Sequence, residues 1–213
     1  MKKTLQISVG LALSFLPLTS VHAADYDFYT AARGTYSWMR NDATLYLADP
    51  NAMKGNDNVF GAALAAGIRS PIPYGALRGE IEFNYRAPVK RTTIDTAATI
   101  DDSLKLYTRS FMFNVYYDIP TQTPITPYIT AGAGISSLRL NHTYIDTYSV
   151  TSTSKNFAWN IGAGAAYEVN KHISVDLGYR YSDNGSAKAT EGLEVLKVKA
   201  AAHEALLGLR YHF

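Results

Sequence analysis

The sequence contains no cysteine, which excludes a disulfide framework and thiolate metal sites. It also offers no apolar run of the ~20 residues that a membrane-spanning helix needs. The clearest candidate, Leu11 to Leu18, is interrupted by Ser14 and Pro17. Charge of one sign is missing too. The 20 Lys and Arg residues nearly cancel the 18 Asp and Glu residues to leave +2, and without Lys2 and Lys3 the sum is 0. No nucleic-acid surface follows from such a balance. Five histidines are present, but none has metal-site spacing. A mean hydropathy close to zero argues against a helical membrane protein. Alternating transmembrane strands give that same value, because each strand averages out.

What is present begins with a leader pattern. Lys2 and Lys3 precede the short apolar run, and Val21-His22-Ala23 fits small-residue cleavage after Ala23. Residues 1–23 are therefore expected to be a removed signal peptide, in preference to a retained anchor. Residues 24–213 are expected to be a single outer-membrane barrel domain.

The mature chain is dominated by a period of two. From Leu77 to Arg86, Leu77, Gly79, Ile81, Phe83 and Tyr85 fall on one face, and Arg78, Glu80, Glu82, Asn84 and Arg86 on the other. Eight such segments can be traced, at about 27–39, 58–69, 76–86, 104–118, 127–139, 156–168, 172–181 and 197–213. Most exceed the 9 to 11 residues that a tilted transmembrane strand needs. Short links (70–75, 119–126, 169–171) alternate with long polar ones (40–57, 87–103, 140–155, 182–196). This pattern predicts an all-β, closed, eight-stranded, antiparallel, up-and-down transmembrane β-barrel in the outer membrane of a Gram-negative cell envelope. Its long loops would be extracellular, and its short turns and both termini periplasmic.

Outward aromatic residues gather at strand ends. Trp38, Phe60, Tyr85, Tyr107, Phe157, Trp159 and Tyr181 lie toward the loops; Phe28, Tyr117, Tyr167, Tyr211 and Phe213 lie toward the turns. Aliphatic residues such as Leu64, Ile81, Val115, Ile129, Ile161 and Leu207 fill the band between them. A soluble ligand-carrying barrel would show the same period with its faces exchanged. It would have to expose Arg78, Glu80, Glu82 and Arg86 and pack both aromatic rings inside, so the membrane reading is preferred.

Several segments resemble the opacity-protein and small surface-antigen family of eight-stranded, porin-like outer-membrane barrels. They are NVYYDIP (Asn114 to Pro120), PYITAGAG (Pro127 to Gly134), NIGAGAAYE (Asn160 to Glu168), ISVDLGYRY (Ile173 to Tyr181) and the ending GLRYHF (Gly208 to Phe213). The spacing of Gly208, Tyr211 and Phe213 is similar to that family's assembly signal, which implies the outer-membrane assembly machinery as a partner. Leu206 stands where the family usually has a polar residue. The resemblance also implies adhesion or antigen roles for the loops.

The inward positions carry a near-balanced charge set. Arg33, Arg69, Arg78, Arg86, Arg180 and Arg210 face Glu80, Glu82, Glu168, Asp176 and Glu204. An unpaired charge in a narrow barrel costs several kcal/mol, so a paired network is expected. Inward glycines, among them Gly67, Gly132, Gly164 and Gly178, would leave room for long side chains opposite. A filled, non-catalytic scaffold is expected ahead of a narrow channel. Catalysis on lipid A is a third possibility, because His172-Ile173-Ser174 has the His-x-Ser spacing of lipid A acyl hydrolases. Ser174, however, shares the inward face with Asp176 and Arg180.

Asp101-Asp102 and Asp183-Asn184-Gly185 are read as turn chemistry. Arg109, outward beside Phe111 and Phe113, is read either as an arginine reaching a lipopolysaccharide phosphate or as an ordinary rim arginine. No cofactor or metal is expected. Membrane lipid and lipopolysaccharide are the expected partners of a monomer, with a host or environmental ligand possible at loops 40–57, 87–103, 140–155 and 182–196.

Overall fold

Along residues 76–86 the alternation becomes an alternation of depth: Arg78, Glu80, Glu82, Asn84 and Arg86 are buried, while Leu77, Ile81, Phe83 and Tyr85 are exposed. The computed structural model describes residues 26–45, 54–95, 100–144, 148–191 and 194–213. Within these it describes the side chains of 26–38, 58–89, 105–141, 151–186 and 199–213. The leader expected at 1–23 lies outside the described residues.

Eight strands form one sheet in chain order: β1 (Asp27–Leu45), β2 (Lys54–Ile72), β3 (Gly75–Asp95), β4 (Ile100–Asp118), β5 (Ile125–Tyr144), β6 (Tyr148–Glu168), β7 (Ile173–Glu191) and β8 (Glu194–His212). Every neighbouring pair is antiparallel, and β8 pairs with β1 to close the barrel. Closure pairs every strand on both sides toward the end that holds Phe213, as hydrocarbon requires; farther along, β2–β3 pairing ends at Gly61 and Arg86 and β6–β7 pairing at Trp159 and Asp183.

The strands are longer than the alternation suggested. The strands extend into all four long links, whose remaining residues lie outside the described ones; Tyr144, for example, pairs with Tyr148. Residues such as Thr92, Thr93, Ile94, Val150, Thr151 and Thr153 prefer extended backbone, and the ladder continues through them. At the opposite end β2 and β3 join through Pro73 and Tyr74 alone, and Gly75 takes φ +148°, a conformation open to glycine. Asp27 and Phe213 mark the terminal end of the barrel, and the opposite end is distal.

Two register shifts re-aim side chains near the distal end. One falls between Arg86 and Val89, at Ala87-Pro88, where proline has no N–H for the ladder. The other lies between Asp183 and Ser186, where Gly185 has φ +79° and its N–H donates to Asp183 Oδ1 at 2.8 Å. The Asp183-Asn184-Gly185 run is therefore a β-bulge.

Outside, Phe60 is 70% exposed, Phe157 69% and Ile135 65%. Water would penalise so large a continuous apolar surface, whereas acyl chains match it. Aromatic rings cluster at both rims. Trp159 and Tyr181 lie 5.5 Å apart on the distal side, and Tyr211 and Phe213 5.3 Å apart on the terminal side.

Candidate functional site

Inward side chains build a ladder of charge along the barrel axis. Near its middle, Arg33 of β1 meets two carboxylates of β3. Its Nη1 donates to Glu80 at 2.7 Å and to Glu82 at 2.8 Å, and its Nη2 donates to the other oxygen of Glu80 at 2.7 Å. The Tyr29 and Tyr116 hydroxyls also donate to Glu80, at 3.0 and 2.9 Å. Arg180 of β7 continues the chain: Nη1 donates to Glu82 at 2.6 Å and Nε to Glu204 at 2.5 Å. Arg86 then donates from Nε to Glu204 at 2.8 Å, and Ser37 donates to the same oxygen at 2.9 Å. Charges thus alternate across four strands, and Glu82 and Glu204 each sit between two guanidinium groups. Neither carboxylate is exposed at all. Desolvating such ions is costly, and the charge-assisted hydrogen bonds on both sides offset that cost.

Toward the terminal end the chemistry becomes aromatic. Arg78 donates from Nε to Asp118 at 2.9 and 3.0 Å. Its Nη2 lies 2.8 Å from Asp118 Oδ1, whereas Nη1 has no acceptor; its guanidinium carbon lies 4.2 Å from the Tyr116 ring centre, 5.1 Å from that of Tyr128 and 5.9 Å from that of Tyr29. Attraction to three ring faces takes the place of the acceptor that Nη1 lacks. Arg210 pairs with Asp176 and lies 5.1 Å from the Tyr29 ring centre. The large rings fit because glycines lie beneath them. A Cβ on Gly67 would sit 2.5 Å from the Tyr29 hydroxyl, and one on Gly164 2.5 Å from that of Tyr128. Gly208 lies inward as well, where a Cβ would meet Arg33 Cγ at 2.6 Å.

Two expected members of the charge set stand elsewhere. Glu168 closes β6 at the terminal rim and is exposed, so it takes no part in the buried network. Arg69 is only half-buried, with Nε 3.3 Å from Asp118. Asp118 is the buried acid that the sequence reading missed. Period two assigns a side chain to a face but not to a depth, and both Glu168 and Asp118 are the last residues of their strands.

Distal to Arg86 and Glu204 lies a layer with no charge. Val59, Val89, Leu106, Leu138, Leu140, Ala200 and Ala202 pack together inside the barrel, with Ala87 against them. Val89 reaches this layer only because the bulge at Ala87-Pro88 reverses the parity of β3. Pro88 inside an alternating run was the signal for it.

At the terminal rim the closing seam carries a line of three polar groups. His212 Nδ1 lies 2.6 Å from Asp27 Oδ2, and Ser174 Oγ lies 3.2 Å from His212 Nε2. The sequence reading paired Ser174 with His172; in the fold, His172 instead contacts the backbone oxygen of His212, at 3.2 Å. Hydrolases use the order carboxylate, imidazole, hydroxyl. Here the hydroxyl faces the interior on a residue 2% exposed, and the three groups fasten β1, β8 and β7 where the cylinder closes. Elsewhere, His203 faces outward against the Tyr179 hydroxyl at 2.6 Å. Among the described residues, no three His, Asp or Glu side chains are grouped to hold a metal ion.

A closed cylinder of eight strands, apolar outside and ionic inside, agrees with what the chain matches. Residues 9–213 fit the model of the outer membrane protein beta-barrel domain. The chain belongs to that family. The outer membrane protein PagN of Salmonella typhimurium is 27% identical over 184 residues, covering 77% of this chain and 76% of the relative. An uncharacterized Brucella abortus protein is 31% identical over 90 residues, 38% of this chain and 32% of its own. Among solved structures, Neisserial surface protein A superposes with a TM-score of 0.55 at 21% identity, over 87% of this chain and 97% of that one. A major outer membrane protein of Thermus thermophilus gives 0.54 at 12% identity, over 87% and 99%. At these identities the solved structures establish the fold. The family match places this chain among bacterial outer-membrane barrels, as its opacity-like segments suggested.

Proposed function

We propose that this family member is a closed, non-catalytic, monomeric surface barrel whose distal hairpins meet the outside while both termini stay periplasmic. In this reading residues 1–23 are a removed leader, residues 24–213 the barrel domain, and Gly208, Tyr211 and Phe213 the signal read by the assembly machinery. The filled lumen carries the argument. An ion entering from the distal side meets the apolar layer around Leu138 and Leu140, which it cannot enter without losing its hydration. Beyond it, Arg180 and Arg86 saturate Glu82 and Glu204, leaving no carboxylate there as a free cation stepping stone. Reconstituted in a planar bilayer with concentrated potassium chloride, the folded monomer is expected to give no stepwise currents. Steady, salt-dependent openings would make it a narrow channel instead.

Recognition then falls to the distal hairpins, within the ranges 40–57, 87–103, 140–155 and 182–196. Adhesion to a host or environmental surface is the role their polar composition supports. It can be tested by excising 43–53, 93–102, 142–150 or 189–196, cuts that rejoin register partners and spare the apolar layer. At least one excision is expected to abolish attachment of whole cells with surface display unchanged. Undiminished attachment after all four would leave only a role in the envelope itself.

A further inference from the structure

The outer wall is not uniform around its circumference. On the outward faces of β4, β5 and β6 the described side chains include Lys105, Arg109, Arg139 and Lys155 and not a single carboxylate. Register fixes how they are grouped. Arg109 and Lys155 flank Ser137 in one cross-strand row, and Arg139 stands in the next row on the distal side, between Tyr107 and Thr153. Strands ~4.8 Å apart place Arg109 and Lys155 about 10 Å from each other. Elsewhere on the described outer wall, the one Lys or Arg is Lys199, and it is paired with Asp183 at 3.5 Å.

A cavity of about 460 Å³ opens among these residues, lined by Tyr107, Arg109, Ser137, Arg139, Asn141 and Thr153. Cations, hydroxyls and an amide are a lining for phosphates and sugar hydroxyls together. The row immediately toward the terminal end is Phe83, Phe111, Ile135 and Phe157, all exposed. The cations therefore stand at the upper edge of the hydrocarbon band, within reach of a headgroup whose acyl chains lie along those rings. Arg109 is already oriented there, with its guanidinium 5.8 Å from the Tyr85 ring centre.

We infer that this face is a binding site for a phosphorylated glycolipid of the outer leaflet, with the acyl chains on Phe111, Ile135 and Phe157. Two spaced cationic points and a polar floor suit a sugar headgroup with more than one phosphate better than a single glycerophosphate. The inference rests on the proposed orientation, in which the distal rim meets the outer leaflet.

The test uses the full barrel in nanodiscs of zwitterionic phospholipid, doped in separate arms with lipopolysaccharide, with an anionic glycerophospholipid, or with inorganic phosphate in the buffer. Bound lipid is counted by native mass spectrometry. Wild type is expected to retain lipopolysaccharide selectively, and Arg109→Gln/Arg139→Gln/Lys155→Gln to bind it on the order of a hundredfold more weakly, since each surface cation contributes about a fivefold share. Lys199→Gln should bind as wild type. Equal retention by the triple variant overturns the site, and so does equal retention of the glycerophospholipid or of free phosphate. Arg139→Gln alone, expected to weaken binding several-fold, decides the matter if the triple variant does not fold. Nanodiscs have no sidedness, so failure here condemns the site, whereas protease accessibility of the hairpins on whole cells tests the orientation.

Discussion

Glu82→Ala is expected to lower the free energy of unfolding by about 3–5 kcal/mol, the cost of breaking a fully buried ion pair from one side. Glu82 accepts from Arg33, Arg180 and Asn84, and it has no exposed surface through which water could replace it. Alanine leaves two guanidinium groups short of an acceptor and opens a hole between them. Arg33 keeps Glu80 and Arg180 keeps Glu204, so the barrel should still close and its unfolding should remain cooperative. Urea unfolding in lipid vesicles, followed by tryptophan fluorescence, measures the loss. Arg180→Met added to Glu82→Ala should cost less than the sum of the two changes, because both remove the same bond. A loss below about 1 kcal/mol would mean that the lumen is wet enough to screen the pair. The case for a sealed interior would then fail with it.

Gly164→Leu should be as damaging by the opposite route, excess volume. The Tyr128 hydroxyl lies where a Cβ on Gly164 would come within 2.5 Å and one on Gly178 within 2.7 Å. A side chain there drives Tyr128 out of its place and strips one wall from the aromatic cage of Arg78, whose Nη1 has no hydrogen-bond acceptor. Overpacking costs about 1–3 kcal/mol, and a buried guanidinium deprived of its ring adds about 2 more. Loss of folded barrel, read as failure to resist extraction and protease after refolding, is the expected result. Gly164→Ala combined with Tyr128→Leu should recover much of the loss caused by Gly164→Ala alone. If Gly164→Leu folds with wild-type stability, the lumen holds space that the packing around Tyr128 denies.

Both predictions concern contacts between residues far apart in the chain, and the sequence reading reached only part of each. It placed Glu82 and Arg180 on the same inner surface and gave the inward glycines a space-making role. It did not reveal that Arg180 bridges Glu82 and Glu204, or that Tyr128 covers Gly164. Those contacts depend on how far each strand is displaced along its neighbour. Asp118 and Glu168 illustrate the limit. Both are last residues of their strands and both have inward parity, yet one is a buried acid bridging Arg69 and Arg78 and the other is exposed at the rim.

By itself, the amino-acid order determined the number of strands, their up-and-down course, and which side chains meet hydrocarbon. Each is a local property, set by a period of two and by turn residues. Tertiary structure alone decided the depth of each charge, the apolar layer that caps the network, the seam joining Asp27, His212 and Ser174, and the grouping of Arg109, Arg139 and Lys155 on one wall. The reason is closure. Wrapping eight strands into a cylinder brings β1 against β8 and sets residues facing one another across the lumen, and the stagger and bulges that fix those meetings belong to the whole sheet.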